Sequence, residues 1–292
     1  MYKISSEQFV LAMNKDNPAV LSVKPGSEIL FETKDALDGQ IRSASQGIDS
    51  LDWSRVNPAT GPVFVEGAMP GDALKVKVES IKTSDSGVLA AIPGFGILGD
   101  SVTEPSLEVL QIKDDYITYV GGIKLPYRPM IGVIGVAPAD DAVPCGTPGS
   151  HGGNMDCKKI APGSTLYFPV FHPGGLLALG DVHACMGDGE VMGTGVECAA
   201  EVVVTVDLVK NMNITDPMLE VADMVYSVTS ADTLENASKM AVLNIIGMIV
   251  SKMGLDRNDA GMLLSTIGEL EICQVVDPLM TVRFGIPKEY IW

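Results

Sequence analysis

The chain has 292 residues, enough for one large domain or two ordinary ones, and at 46% hydrophobic but only 5% aromatic its core must be aliphatic. Its 37 acids against 20 bases leave a formal charge of −17 with no basic run anywhere, which argues against nucleic acid and anionic membrane surfaces as partners. Five cysteines (145, 157, 185, 198, 273), an odd number with no CxxC pair, argue against a disulfide framework and a structural zinc knuckle.

The opening MYKISSEQF has no apolar signal core, and with the unpaired cysteines this predicts a cytoplasmic setting. Up to about residue 212 the chain reads as strands. Ser27 to Thr33 is the first clear β-rich run. After Gly71-Asp72, Leu74, Val76 and Val78 alternate with Lys75, Lys77 and Glu79, the period of a half-buried strand. Tyr116 to Val120, Leu166 to Phe171 and Glu201 to Val209 are similar, and Gly/Pro turn signals separate them. These features predict a mainly β fold with a β-sandwich-like main domain over residues 1–212.

The remainder, 213–292, reads as an α+β subdomain packed on that domain. Asp232 and Glu235 form a capping box ahead of a helix over Leu234 to Met253, which Gly254 ends. Asp256 with Asp259 starts a shorter helix that stops near Gly268, and Glu271 to Val276 and Met280 to Phe284 read as closing strands. The most apolar stretch, Met240 to Met253, falls short of the roughly 20 residues of a membrane span and carries Asn244 and Ser251.

Chemistry concentrates between His151 and Glu197. This stretch holds all three histidines (151, 172, 183) and five acids: Asp156, Asp181, Asp188, Glu190 and Glu197. Ten of its 47 residues are glycine, so the backbone can turn sharply and approach a ligand. In an extended segment Asp181 and His183 project from one face, as a metal site or an acid–base pair. Asp188 and Glu190 repeat the spacing with two carboxylates, and His151, Asn154 and Asp156 lie within six residues. The bland readings are that Asp beside Gly forms turns and that His172, between Phe171 and Pro173, is structural. Three such groupings in one segment favour a site.

Two other motifs carry less. Gly94-Phe95-Gly96-Ile97-Leu98-Gly99 has dinucleotide-loop spacing, but Asp100 to Pro105 leaves no room for the helix that must hold a pyrophosphate. Cys145, Cys157 and Cys185 lie near the histidines, and a thiolate nucleophile is the rival chemistry.

On these residues the sequence resembles the acetamidase/formamidase family. The match runs through Thr33-Lys34-Asp35-Ala36 with Gly39, Gly61-Pro62-Val63, Glu66-Gly67-Ala68, Pro70-Gly71-Asp72, Met130 to Pro138, Gly149 to Asp156, Gly180 to Glu190, Gln274 to Pro278 and Thr281-Val282-Arg283. Met186 stands where the family pattern usually has Gln. The resemblance implies hydrolysis of a small neutral amide, formamide or acetamide, to acid and ammonia. It also implies a β-sandwich-like domain, a dimer or higher homo-oligomer, and a bound divalent metal. A site almost free of Lys and Arg suits a neutral substrate, and a poor electrophile such as an amide needs a Lewis acid or an activated nucleophile. The expected ligands of a zinc-like or calcium-like ion are Asp35, Asp156, Asp181 and His183. Glu190, tuned by Asp188 or Glu197, is the expected general base and acid, with His151 and Asn154 orienting the carbonyl and Glu197 facing substrate. The rival from another class is a non-catalytic calcium- or sugar-binding β-sandwich, and a third reading is an amidase with a cysteine nucleophile.

Overall fold

The computed structural model describes residues 1–291. Two large sheets bury one shared aliphatic core, which is the sandwich expected from the strand pattern. The first sheet has nine strands, in the order Tyr2–Ile4, Ser27–Thr33, Ala200–Val209, Ala73–Thr83, Thr165–Pro169, Met218–Val221, Met224–Ala231, Met280–Pro287, Glu269–Gln274. Ala73–Thr83 shows why it forms: Leu74, Val76 and Val78 are buried while Lys77 is exposed, and Ala200–Val209 and Thr165–Pro169 pair with it on either side. Phe31, Val76, Val78, Val202 and Val204 of this sheet pack in one cluster with Val63, Ile131, Leu177, Leu179 and Val182 of the second.

The second, eleven-stranded sheet positions the site. At its centre Met130–Gly135 and Leu177–His183 lie antiparallel, and every residue of both is buried. Glu197–Cys198 and Ala59–Val65 flank Leu177–His183, and Gly152–Asn154 pairs with the other side of Met130–Gly135.

The two C-terminal helices cover the far end of the first sheet. Leu234–Met253 buries Ala237, Ala241, Ile245 and Ile249, a stripe at intervals of four, against Val225, Val282, Phe284 and Ile286. Its N-cap is Thr233, whose hydroxyl accepts from the Asn236 amide at 3.1 Å. Asp232, the expected cap, accepts instead from the Asn236 side chain at 2.8 Å. Gly254 ends this helix in the left-handed region, φ 68°. Asp256 caps Arg257–Ile267, accepting from the Asn258 and Asp259 amides. Gly268 closes that helix with φ −89°; its glycine is needed for packing, because a Cβ there would stand 2.2 Å from the Phe284 ring. The boundary expected after residue 212 lies within the first sheet, since Thr165–Pro169 pairs with Met218–Val221. Among the described residues no single helix is long and apolar enough to cross a membrane.

Candidate active site

Strand Leu177–His183 delivers two of the expected groups. Its pairing with Met130–Gly135 runs His183 to Met130, Val182 to Ile131 and Gly180 to Val133, and breaks at Asp181. The segment is therefore not regularly extended: Asp181 has φ 51°, a left-handed conformation that costs a non-glycine residue. The two side chains still meet, with His183 Nε2 3.2 Å from Asp181 Oδ1. Glu197, opposite His183 in the neighbouring strand, brings Oε2 to 3.1 Å from the same nitrogen. Asp156 Oδ1 lies 3.9 Å away. Asp156 and Glu190 have φ 41° and 48°, so three of the converging acids sit on strained backbone, as buried functional groups often do.

Glycines make the approach possible. A Cβ on Gly132 would stand 2.5 Å from Asp156 Oδ1 and 2.6 Å from Asp181 Oδ2, and one on Gly195 would stand 2.4 Å from His183 Nδ1. The Glu190 loop is pinned from the C-terminal region: the Gly189 amide donates to the Cys273 carbonyl at 2.7 Å, and Gly189 bridges Gln274.

The result is two ligand sets that share His183. One is Asp156, His183 and Glu190; the other is Asp181, His183 and Glu197. Within each set the ligand atoms lie within 4.8 Å of one another and every residue is buried. Burial pushes the Asp156 and Glu190 carboxyls well above the ordinary range, reinforced by neighbouring carboxylates and opposed by His183. Burial likewise pushes Glu197 up to about 8. Burial also acts on Asp181, but the charge and hydrogen bond of His183 outweigh it and hold that carboxyl low. Burial disfavours a charged His183 ring, yet Glu197 and Asp181 raise its pKa well above the usual value. Both Asp156 oxygens and His183 Nδ1 are buried without a hydrogen-bond partner.

One member of this cluster escaped the sequence reading. Asp277 accepts from Asn154 Nδ2 at 3.0 Å, and burial with the charges of Asp156 and Asp181 drives its pKa well up. It lies some 80 residues downstream, in the turn between two closing strands, and Gln274-Val275-Val276-Asp277-Pro278 was its only sequence signal. Gln274 shapes that turn by accepting from the Val276 and Asp277 amides.

Other expected residues sit differently. Asp35 lies outside both ligand sets: its carboxylate accepts from the Leu37 and Gly39 amides at 2.9 and 3.1 Å, closing its own turn. Burial raises its pKa, with Asp38 and Asp181 adding to the effect. Asp188 faces away and accepts a bidentate pair of hydrogen bonds from the Arg283 guanidinium, 2.9 and 2.8 Å, with an ion pair to Lys158 at 2.7 Å. Those cations outweigh burial and keep it ionised. His151 packs between Gly149 and Gly153 with Nε2 unpartnered, and burial lowers its pKa to about 4, so it is a neutral ring. Asn154 reaches the cluster through Asp277 and leaves Oδ1 buried and unpartnered. His172 stands apart, its Nε2 2.9 Å from the Pro138 carbonyl.

No thiol enters either ligand set. Cys157, lowered to about 7 by a hydrogen bond from Cys273 and by the Arg283 charge, is fully buried. Cys185 is half-buried where the other four are buried, and its partial burial raises its pKa. The Gly94–Gly99 loop folds on itself, Gly94 amide to Gly99 carbonyl at 3.0 Å, and a three-residue turn follows it in place of a helix.

The cluster opens outward at Glu190, which lines a cavity of about 410 Å³. A larger hollow of about 510 Å³ lies beneath the first helix, but its one acid, Asp216, is already held by Asn244 and Thr215.

The profile of the acetamidase/formamidase family matches residues 6–144 and 141–291. A formamidase of Methylophilus methylotrophus is 29% identical in a 255-position alignment, with 67% of this chain and 63% of that protein covered. The chain thus spans less than two thirds of the length of that curated relative. Among solved structures, an acetamidase from Bacillus halodurans superposes with a TM-score of 0.96 at 43% identity, covering 99% of this chain and 98% of that one. A recombinant predicted acetamidase/formamidase from Thermoanaerobacter tengcongensis gives 0.96 at 45% identity, covering 99% and 96%. The acids that converge on His183 are therefore carried on a chain that belongs to the acetamidase/formamidase family.

Proposed function

We propose that this protein hydrolyses small neutral carboxamides to the carboxylic acid and ammonia, at a divalent cation held around His183. The observation that carries the reading is the charge imbalance of the buried cluster. Asp156, Asp181, Glu190 and Glu197 surround one imidazole, with Asp277 beside the two aspartates, an assembly that burial makes costly unless protons or a cation neutralise it. The two orphaned Asp156 oxygens and the orphaned His183 nitrogen are donor atoms of the right kind. Mixed imidazole and carboxylate ligands favour zinc or another first-row ion over calcium.

Asp181, His183 and Glu197, with Asp156 beside them, would hold the cation and leave Glu190 for proton transfer. When bound, it supplies Lewis acidity, polarising a carbonyl and lowering the pKa of a water. Glu190, at the mouth of the cluster, accepts a proton as water adds to the carbonyl carbon. It returns that proton to the nitrogen as the C–N bond breaks, and ammonia leaves. A carboxyl whose pKa burial has raised is suited to both halves of that exchange. Asn154 Oδ1, unpartnered, accepts from the amide N–H, while Asp277 fixes the other end of the Asn154 side chain. Asp188 carries no proton in this scheme; with Arg283 it braces the Glu190 loop.

Ammonia release from formamide and acetamide tests the reading. The purified protein releases ammonia from at least one of them, and Glu190→Gln lowers turnover by about 10²-fold or more. A calcium- or sugar-binding module releases none, and a thiol enzyme keeps its activity through chelation and tolerates the Gln substitution.

A further inference from the structure

The cavity at Glu190 is larger and more apolar than formamide or acetamide requires. Its volume is about 410 Å³, within the roughly 300–1,000 Å³ range of sites that enclose much larger ligands. Leu89, Tyr119, Leu125, Met186, Val191 and Met192 line it. Its charged members are Glu108, Asp188 and Glu190, all acidic, and no Lys or Arg is among its lining residues. An anionic ligand finds no partner there, whereas a neutral aliphatic chain loses water against Leu, Met and Val.

Two residues join this cavity to the acid–histidine cluster. Glu190 belongs to both. Gly195 also lines the cavity and lies directly on the His183 ring, where a Cβ would come within 2.4 Å of the unpartnered Nδ1. The wall is held in place by the glycine-rich loop that nucleotide binding did not explain. The Ile97 amide donates to the Val191 carbonyl at 2.9 Å, and Gly96 lies so close to the Met192 backbone that a Cβ would stand 2.6 Å from it.

Resting on the proposed amide hydrolysis, we infer that this cavity is an acyl-chain subsite and that the preferred substrates are unbranched aliphatic carboxamides longer than acetamide. The carboxamide head lies at Glu190 and the alkyl tail runs along Leu89, Leu125 and Met186. Each methylene buried on the way to the transition state contributes about fourfold in kcat/KM.

The test is a series of primary amides, formamide, acetamide, propionamide, butyramide and hexanamide, assayed by ammonia release with the full-length protein. kcat/KM rises with chain length, about tenfold or more from acetamide to butyramide. Ala91→Phe narrows the cavity from the strand Ser86–Ala91 and lowers the hexanamide-to-acetamide ratio by at least tenfold. A binding readout needs no variant: Cys185 lines the cavity and is half-buried where the other cysteines are buried, so its modification by methyl methanethiosulfonate, a thiol reagent without an amide, is slowed by butyramide and hexanamide far more than by acetamide. Hydrolysis of formamide and acetamide with a flat or falling series, and no chain-dependent protection of Cys185, overturns the subsite while leaving amide hydrolysis intact. If no amide in the series is hydrolysed, amide hydrolysis fails and the subsite with it.

Discussion

The Asp181 carboxylate lies directly over Gly132, so close that a Cβ on that glycine would stand 2.6 Å from Oδ2. Asp156 Oδ1 crowds the same position, at 2.5 Å. One missing side chain in a central strand is thus what lets two buried carboxylates converge on His183. Gly132→Ala therefore displaces both acids. We expect it to lower cation occupancy and reduce amide turnover by about 10²-fold or more, since an ångström of misplacement can cost that much. Overpacking costs about 1–3 kcal/mol of stability, read as a modest drop in Tm. Unchanged cation binding in a folded Gly132→Ala protein contradicts the placement.

Arg283 is fully buried and bonds to Asp188 and Glu271, with Cys157 and Cys273 close by. Removing one partner of a buried ion pair leaves the others uncompensated, so Arg283→Leu costs about 3–5 kcal/mol in denaturant unfolding. Asp188→Asn, by contrast, keeps much of the hydrogen bonding. It lowers stability more than it lowers kcat, which separates a bracing acid from a proton-transferring one. A loss of kcat in Asp188→Asn as large as in Glu190→Gln contradicts that division.

Asp72 gives a pH dependence remote from the site. Burial alone would raise its pKa, but Lys210 at 2.6 Å and the Met69 and Asn211 amides outweigh it and hold the carboxyl low. A folded pKa below the unfolded one means stability that is present above the ordinary Asp value, about 3.9, and lost as pH falls through the folded pKa. Asp72→Asn is expected to cost about 1–3 kcal/mol at pH 7. The gap from the unaltered protein then closes as the pH is lowered below about 4, measured by urea unfolding across pH. A gap that widens on acidification reverses the sign and contradicts the assignment.

The first helix offers a local test. Thr233 accepts from the Asn236 amide, so Thr233→Ala costs about 1 kcal/mol, while Asp232→Ala costs less because it removes only a side-chain pairing. Thermal unfolding of the two variants distinguishes them, and equal losses contradict Thr233 as the cap.

The cap also shows where sequence stops short. Asp232 and Thr233 are both good caps, and which one closes the helix depends on the direction in which the strand Met224–Ala231 delivers the chain. Half-buried strands such as Ala73–Thr83 were legible because one face meets water and the pattern alternates. Met130–Gly135 and Leu177–His183 are buried throughout, so they carry no alternation to read, and the site is built on them. His183, Asp156, Asp181, Glu190 and Glu197 were visible because acids and glycines crowd one segment. Asp277 was not, since its approach to Asn154 depends on how a distant turn folds back. Asp35 and Asp188 had the residue type and the neighbourhood, but the Leu37 and Gly39 amides and the Arg283 guanidinium claim their carboxylates.

The most direct measurement is ammonia release from acetamide and butyramide, made alongside elemental analysis of the same sample. It is run on the purified protein, after chelation, and after return of zinc or another first-row divalent ion. Hydrolysis at a cation held by Asp181, His183 and Glu197 predicts bound metal in the active sample, loss of activity in step with metal removal, and recovery on its return. Full ammonia release from metal-free protein contradicts it.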